Sequence, residues 1–109
     1  MFKLPNKPFS VIQKFLIENK VLVYKYLIKK IQYAIKHDIE KIELFEFPGD
    51  DTRHVAVIRE PEFEKILLDA ITECCTVEQY ELAAKAQQVL QTYRDKQINT
   101  LLNEIKHEE

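Results

Sequence analysis

Lys41–Phe47 (KIELFEF), 48–53 (PGDDTR) and His54–Glu60 (HVAVIRE) are the stretch that decides the fold class. The outer runs are short and rich in β-branched and aromatic residues, a composition that suits a pleated, half-buried surface. Between them stand Pro48, the chain's single glycine (Gly49) and the Asp50–Asp51 pair, all turn formers. The pattern predicts a β-hairpin over 41–60 with a loop longer than two residues. Alternation puts Ile42 and Leu44 on one side, Phe45 and Phe47 on the other. A hairpin apolar on both faces requires cover from helices or from another chain.

Upstream of the hairpin, the basic region 8–37 reads as helical. At about 100° per residue, Lys14, Glu18, Lys25, Lys29, Gln32 and Lys36 share a narrow polar face. Ile12, Phe15, Leu16, Val23, Tyr26, Leu27, Ile31 and Ala34 lie opposite. Val21, Leu22, Tyr24, Ile28, Tyr33 and Ile35 widen the apolar arc, so heavy burial is expected. Lys20 falls inside that arc beside Asn19, which predicts a break near Asn19. Lys30 falls there too and is expected to lead its ammonium group out along its stem.

Downstream lies a helical pair over 61–106. Glu60-Pro61-Glu62 is a helix start, with proline at the first helical position and acids facing the positive end of the dipole. That helix is expected to run to about Cys75 and to bury Phe63, Ile66, Leu67, Ala70 and Ile71. Thr76-Val77-Glu78-Gln79 fits a capping box that opens the last helix, continuing to about Lys106. On it Tyr80, Ala83, Ala86, Leu90, Tyr93, Ile98, Leu101 and Ile105 form an apolar stripe. The expected class is therefore α+β, mainly helical, in the order α-β-β-α-α, as a single domain over 1–109.

Composition narrows the function. The 109 residues are 46% hydrophobic and 31% charged, with one Gly and four Pro. That balance belongs to a folded chain rather than to a disordered, collagen-like or linker-like one. The opening MFKLPNKPFS lacks the apolar core of a signal peptide, and no uncharged apolar run of about 18 residues occurs, so no spanning helix is expected. The two cysteines are adjacent, Cys74 and Cys75, a poor geometry for a disulfide. A reduced, cytoplasmic setting is expected, without membrane association.

Catalytic and metal chemistry find little footing. His37, Asp38, Asp50, Asp51, His54, Cys74, Cys75 and His107 are scattered without metal-ligand spacing. The Asp50, Asp51 and His54 group at the hairpin tip has the ordinary reading of turn and strand-edge residues. Phosphate-binding glycine loops, nucleophile elbows and a strand acid followed by Glu-x-Lys are all missing. No enzyme activity and no cofactor are expected.

Charge is more informative. Residues 1–37 hold eight lysines against Glu18 alone, whereas 38–109 hold 17 acids against eight basic residues. The basic stripe Lys14, Lys25, Lys29, Lys36 is expected to meet acidic protein surface, of its own or a sister chain. Phosphate contact by the same stripe, with nearby tyrosines stacking on bases, is the alternative, a nucleic-acid-associated accessory protein. Against it stand the acidic remainder and the lack of any arginine before Arg53.

Tyr80-Glu81-Leu82-Ala83-Ala84-Lys85 is similar to the aromatic–Glu–x–Ala–Ala segment of the UVR motif, a helical hairpin through which repair and protease-partner proteins bind one another. That motif continues with Leu-Arg-Asp, where this chain has Ala86-Gln87-Gln88. The resemblance implies protein binding and nothing finer.

The reading that emerges is a small non-enzymatic interaction or assembly module, a regulator or accessory subunit. Length supplies the partner. A helix from Val77 to Lys106 is about 45 Å long, against a diameter of roughly 34 Å for a compact chain of this size. Tyr93, Leu101, Leu102 and Ile105 are the expected contact face, and a homo-oligomer, most simply a dimer, is the expected assembly.

Overall fold

The computed structural model describes residues 1–47 and 54–108. The chain divides into two compact units, Met1–Phe63 and Glu64–Glu109.

The first unit is a three-stranded sheet with two helices. Strand β1 (Phe2–Lys3) precedes helices α1 (Phe9–Glu18) and α2 (Lys20–Lys36), followed by β2 (Lys41–Phe47) and β3 (His54–Arg59). The sheet order is β1-β2-β3, with β2 and β3 antiparallel as the hairpin pattern requires. The tip at 48–53, with Asp50 and Asp51, lies outside the described residues. β1 is a strand that sequence reading left unassigned. It pairs in parallel with β2, Phe2 opposite Phe45 and Lys3 opposite Glu46. The Leu4 amide extends the ladder to the Glu46 carbonyl at 2.9 Å. Pro5 follows directly, its φ fixed by the ring.

The hairpin contains a bulge. Glu43 faces Val57 and Phe45 faces Ala56, so Leu44 is an extra residue on β2. A bulge leaves its extra residue out of the β2–β3 ladder and bends the strand. The Tyr26 hydroxyl donates to the Leu44 carbonyl at 2.8 Å, fastening α2 to the sheet. Ile42 and Leu44 are buried while Phe45 and Phe47 are half-buried, the two-sided distribution expected from alternation.

The break at Asn19 is present. Asn19 has φ −110° and ψ 34° and separates α1 from α2. Its amide and its side-chain Nδ2 both donate to the Phe15 carbonyl, at 3.0 and 2.8 Å. Ile12 of α1 and Ile28, Ile31, Ala34 and Ile35 of α2 are buried. Burial is less complete than the wide apolar arc suggests: Phe15, Leu22 and Tyr33 remain exposed. The Lys30 ammonium group, expected to leave the apolar arc, lies 5.6 Å from the ring centroid of Tyr26, a half-buried member of that arc.

A 3₁₀ turn (Glu60–Glu62) leads into α3 (Phe63–Thr76), and α4 (Tyr80–Glu108) completes the second unit. Pro61 sits in that first turn, and Glu62 accepts the Arg59 amide proton at 3.0 Å, so the helix start is as expected. Phe63, Leu67, Ala70 and Cys74 form a buried stripe at helical spacing. The chain then doubles back, so that Arg94 of α4 meets Glu64 of α3 through Nε at 2.9 Å and Nη2 at 2.7 Å.

The turn between these helices corrects the expected capping box. Thr76 is the last residue of α3, not the cap of α4, and its hydroxyl donates to the Thr72 carbonyl at 2.9 Å. The Gln79 amide reaches back to the Cys74 carbonyl and the Glu78 amide to that of Cys75, at 2.7 and 3.1 Å. This pair of bonds is a Schellman termination, which needs a left-handed residue after the helix, and Glu78 supplies it at φ 60°. Glutamate has no special tolerance for that conformation and glycine does. Glu78→Gly is therefore expected to raise stability by about 0.5–1 kcal/mol, read as a higher urea midpoint with an unchanged slope.

Candidate functional site

Among the described residues, each unit carries a surface that is chemically unfinished. The first is a groove of about 340 Å³ in the first unit. Its walls come from Phe15 and Leu16 at the end of α1, from Leu22, Val23 and Tyr26 on the first turns of α2, and from Phe2 and Phe45 on the sheet. Three local features create it. The Asn19 break lets the α1 and α2 faces diverge. Pairing of β1 brings the Phe2 ring to 6.4 Å from the Phe45 ring, edge to face. The Tyr26 ring, held by its hydroxyl bond to Leu44, lies 5.5 Å from Phe45. Phe2, Phe15 and Leu22 are nonetheless 49%, 43% and 61% exposed, an apolar concentration that water covers poorly.

Lys25 and Lys29 complete the lining. Both are exposed, and among the described residues neither has a carboxylate within 4.0 Å. The other two members of the expected stripe stand apart. Lys14 is on α1, beyond the break, and pairs with Glu18 at 3.7 Å. Lys36 is the exposed last residue of α2. The single four-lysine face expected from one continuous periodicity is thus divided, with its central pair beside the groove. Sequence reading assigned Phe15, Leu22 and Tyr26 to the core. The signal for a groove was Phe2, an aromatic residue outside any helix, and it becomes legible only once β1 pairs with β2.

The second surface is the end of α4. With 29 residues against 14, α4 is about 43 Å long and α3 about 21 Å. Arg94 already lies level with the start of α3, so the rest of α4 has no helix of its own unit beside it. Burial follows that arithmetic. Ala83, Ala86, Val89 and Leu90 are buried, Tyr93 is half-buried, and every residue from 97 to 108 is exposed. Ile98, Leu101, Leu102 and Ile105 are 55%, 58%, 48% and 59% exposed. The stripe from Tyr80 to Ile105 is therefore buried only in its middle, since Tyr80 is exposed as well.

The cysteines are free thiols of opposite character, Cys74 buried and Cys75 exposed. Burial pushes the Cys74 thiol above its ordinary range, with smaller contributions from Cys75 and Glu73. Its stabilising contribution is complete below the unfolded thiol's pKa and is lost as pH rises through the folded one. Under native conditions at neutral pH, a maleimide should label Cys75 and spare Cys74 until the chain unfolds. Mass spectrometry of the labelled peptide checks this, and equal labelling of both would contradict the burial of Cys74.

His54 is the exposed first residue of β3. Among the described residues no three His, Cys, Asp or Glu side chains converge as metal ligands would, and no helix is long and apolar enough to cross a membrane.

No family model, no curated protein and no solved structure matches this chain. The six-residue likeness to the UVR motif therefore stands without a family behind it. In the structure it covers the start of α4, where Ala83 is buried.

Proposed function

We propose that this chain is a non-enzymatic protein-interaction module of the cytoplasm, an assembly or accessory subunit that associates with copies of itself. The observation carrying this reading is the end of α4, where a dozen consecutive exposed residues present four large aliphatic side chains on one face. Ile98, Leu101, Leu102 and Ile105 fall within about 100° of arc. A face of that kind is stabilised by burial, each fully covered side chain contributing about 1.5–3 kcal/mol. A second copy is the occupant that the charge favours. The first 37 residues carry a large excess of lysine, and the second unit carries nine acids against five basic residues.

Light scattering on a sizing column, at micromolar and tenfold lower concentration, tests the reading. A mass above 13.0 kDa that falls on dilution supports it. A strict monomer at both concentrations ends it. Nucleic-acid contact through Lys25, Lys29 and Lys36 would show instead as binding to random RNA or DNA that weakens steeply with salt.

A further inference from the structure

We infer that the groove beside α2 is a binding site for a medium-chain fatty carboxylate. The tail lies along the apolar floor, and the head sits between Lys25 and Lys29. The site belongs to the first unit and is independent of the self-association proposed for α4.

The lining separates by depth. Leu16, Val23, Tyr26 and Phe45 are half-buried, whereas Phe2, Phe15 and Leu22 are exposed, as are both lysines. The half-buried members make a floor of aliphatic and aromatic carbon, and the exposed ones make a rim. At about 100° per residue, Val23 and Tyr26 fall on one side of Leu22 and both lysines on the other. One helix therefore supplies part of the floor and a cationic rim beside it, so tail contact and head contact are available together.

Polarity sets the head. The lining contains no Asp or Glu. Its side-chain polar groups are the two ammonium groups and the Tyr26 hydroxyl, which donates to the Leu44 carbonyl at 2.8 Å. Among the described residues neither ammonium group has a carboxylate within 4.0 Å. A lysine only donates, so the head must accept. Lys25 and Lys29 are neighbours one turn apart on α2, a like-charge pair that is unfavourable until an anion arrives. A carboxylate brings two oxygens, one for each ammonium group, and charge-assisted bonds of that kind are the strong ones.

Size sets the tail. A volume of about 340 Å³ stands at the lower end for small-molecule sites, which are mostly apolar with few polar groups. Along α2 the lining extends between Leu22 and Lys29, a rise of about 10 Å. An extended alkyl chain advances roughly 1.25 Å per carbon at ordinary bond lengths and angles, so about eight to ten carbons span that length. A purely polar anion leaves the aromatic floor to water, and a neutral hydrocarbon leaves the two charges unanswered.

Calorimetric titration of the full chain with hexanoate, octanoate, decanoate and dodecanoate, each below its micelle-forming concentration, tests the site. Affinity should rise about two- to fourfold per methylene up to about ten carbons and then level off. Decyltrimethylammonium, with the same tail and the opposite charge, should bind about fivefold more weakly or not at all. Lys25→Gln with Lys29→Gln should weaken decanoate binding about fivefold, the effect of two exposed charge contacts. Both positions are exposed, and circular dichroism confirms that the variant is folded. Decanoate should also raise the melting temperature, because a ligand of the folded chain stabilises it. Absence of saturable decanoate binding, equal affinity for the cationic amphiphile, or a double variant that binds like the parent overturns the inference. A lowered melting temperature, the mark of detergent action, does the same. So does binding to phosphatidylglycerol vesicles without binding to free decanoate, which would make this face a membrane contact.

Discussion

Leu67→Ala is expected to lower the free energy of unfolding by about 2–5 kcal/mol, the range for truncating a fully buried leucine. Leu67 is 0% exposed and lies between Phe63 and Ala70 on the buried stripe of α3. Removing its branch forfeits the transfer energy of three carbons and leaves a void. Ala70, below it on the same stripe, has too short a side chain to fill that void. For a chain of 109 residues such a loss is a large fraction of total stability, typically about 5–15 kcal/mol. Leu68 supplies the control. It is the next residue on the same helix and is 43% exposed, so Leu68→Ala should change stability by only about 0.5 kcal/mol or less. Urea unfolding followed by circular dichroism measures both. Equal effects would mean that the α3 stripe is not the buried face.

The contrast between Leu67 and Leu68 shows what periodicity makes legible. Local signals such as apolar spacing, turn formers and a proline flanked by acids locate the break at Asn19, the hairpin, the helix start at Pro61 and the buried stripe of α3, because each depends on residues close in sequence. The features that make the groove depend on residues far apart. Phe2 meets Phe45 only through a parallel pairing, and two residues at the start of a chain carry no period to detect. Tyr26 reads as core by its position on α2, yet its hydroxyl is committed to the Leu44 carbonyl, at the bulge of β2. The turn after α3 went astray for a local reason. Thr-x-x-Gln fits a capping box, but the same four residues also serve a Schellman end, and the Glu78 conformation decides between them. The lysine stripe presumes one uninterrupted helix, and the break at Asn19 divides it. On α4, amphipathic spacing identified the apolar face without revealing where its cover ends. That limit is set by the length of α3, a property of the neighbouring helix.

The end of α4 carries the other large expected effect. Leu101→Ala combined with Ile105→Ala should weaken self-association about 100-fold or more while leaving the fold of the chain unchanged. The two substitutions remove about six carbons, worth roughly 0.8 kcal/mol each when fully buried. If an interface buries only about half of that surface, the loss is still near 2.5 kcal/mol for each copy that contributes a helix. At about 1.4 kcal/mol per factor of ten, one such loss approaches 100-fold, and a pair in which both copies contribute exceeds it. Folding has no comparable stake, since both side chains are more than half exposed in the single chain. Alanine is moreover the best helix former at those positions. Dissociation constants from analytical ultracentrifugation, set beside urea midpoints at a concentration where the chain is monomeric, separate the two quantities. A double variant that assembles like the parent would remove the end of α4 from the interface. A double variant that loses assembly and stability together would show instead that Leu101 and Ile105 support the fold of the chain.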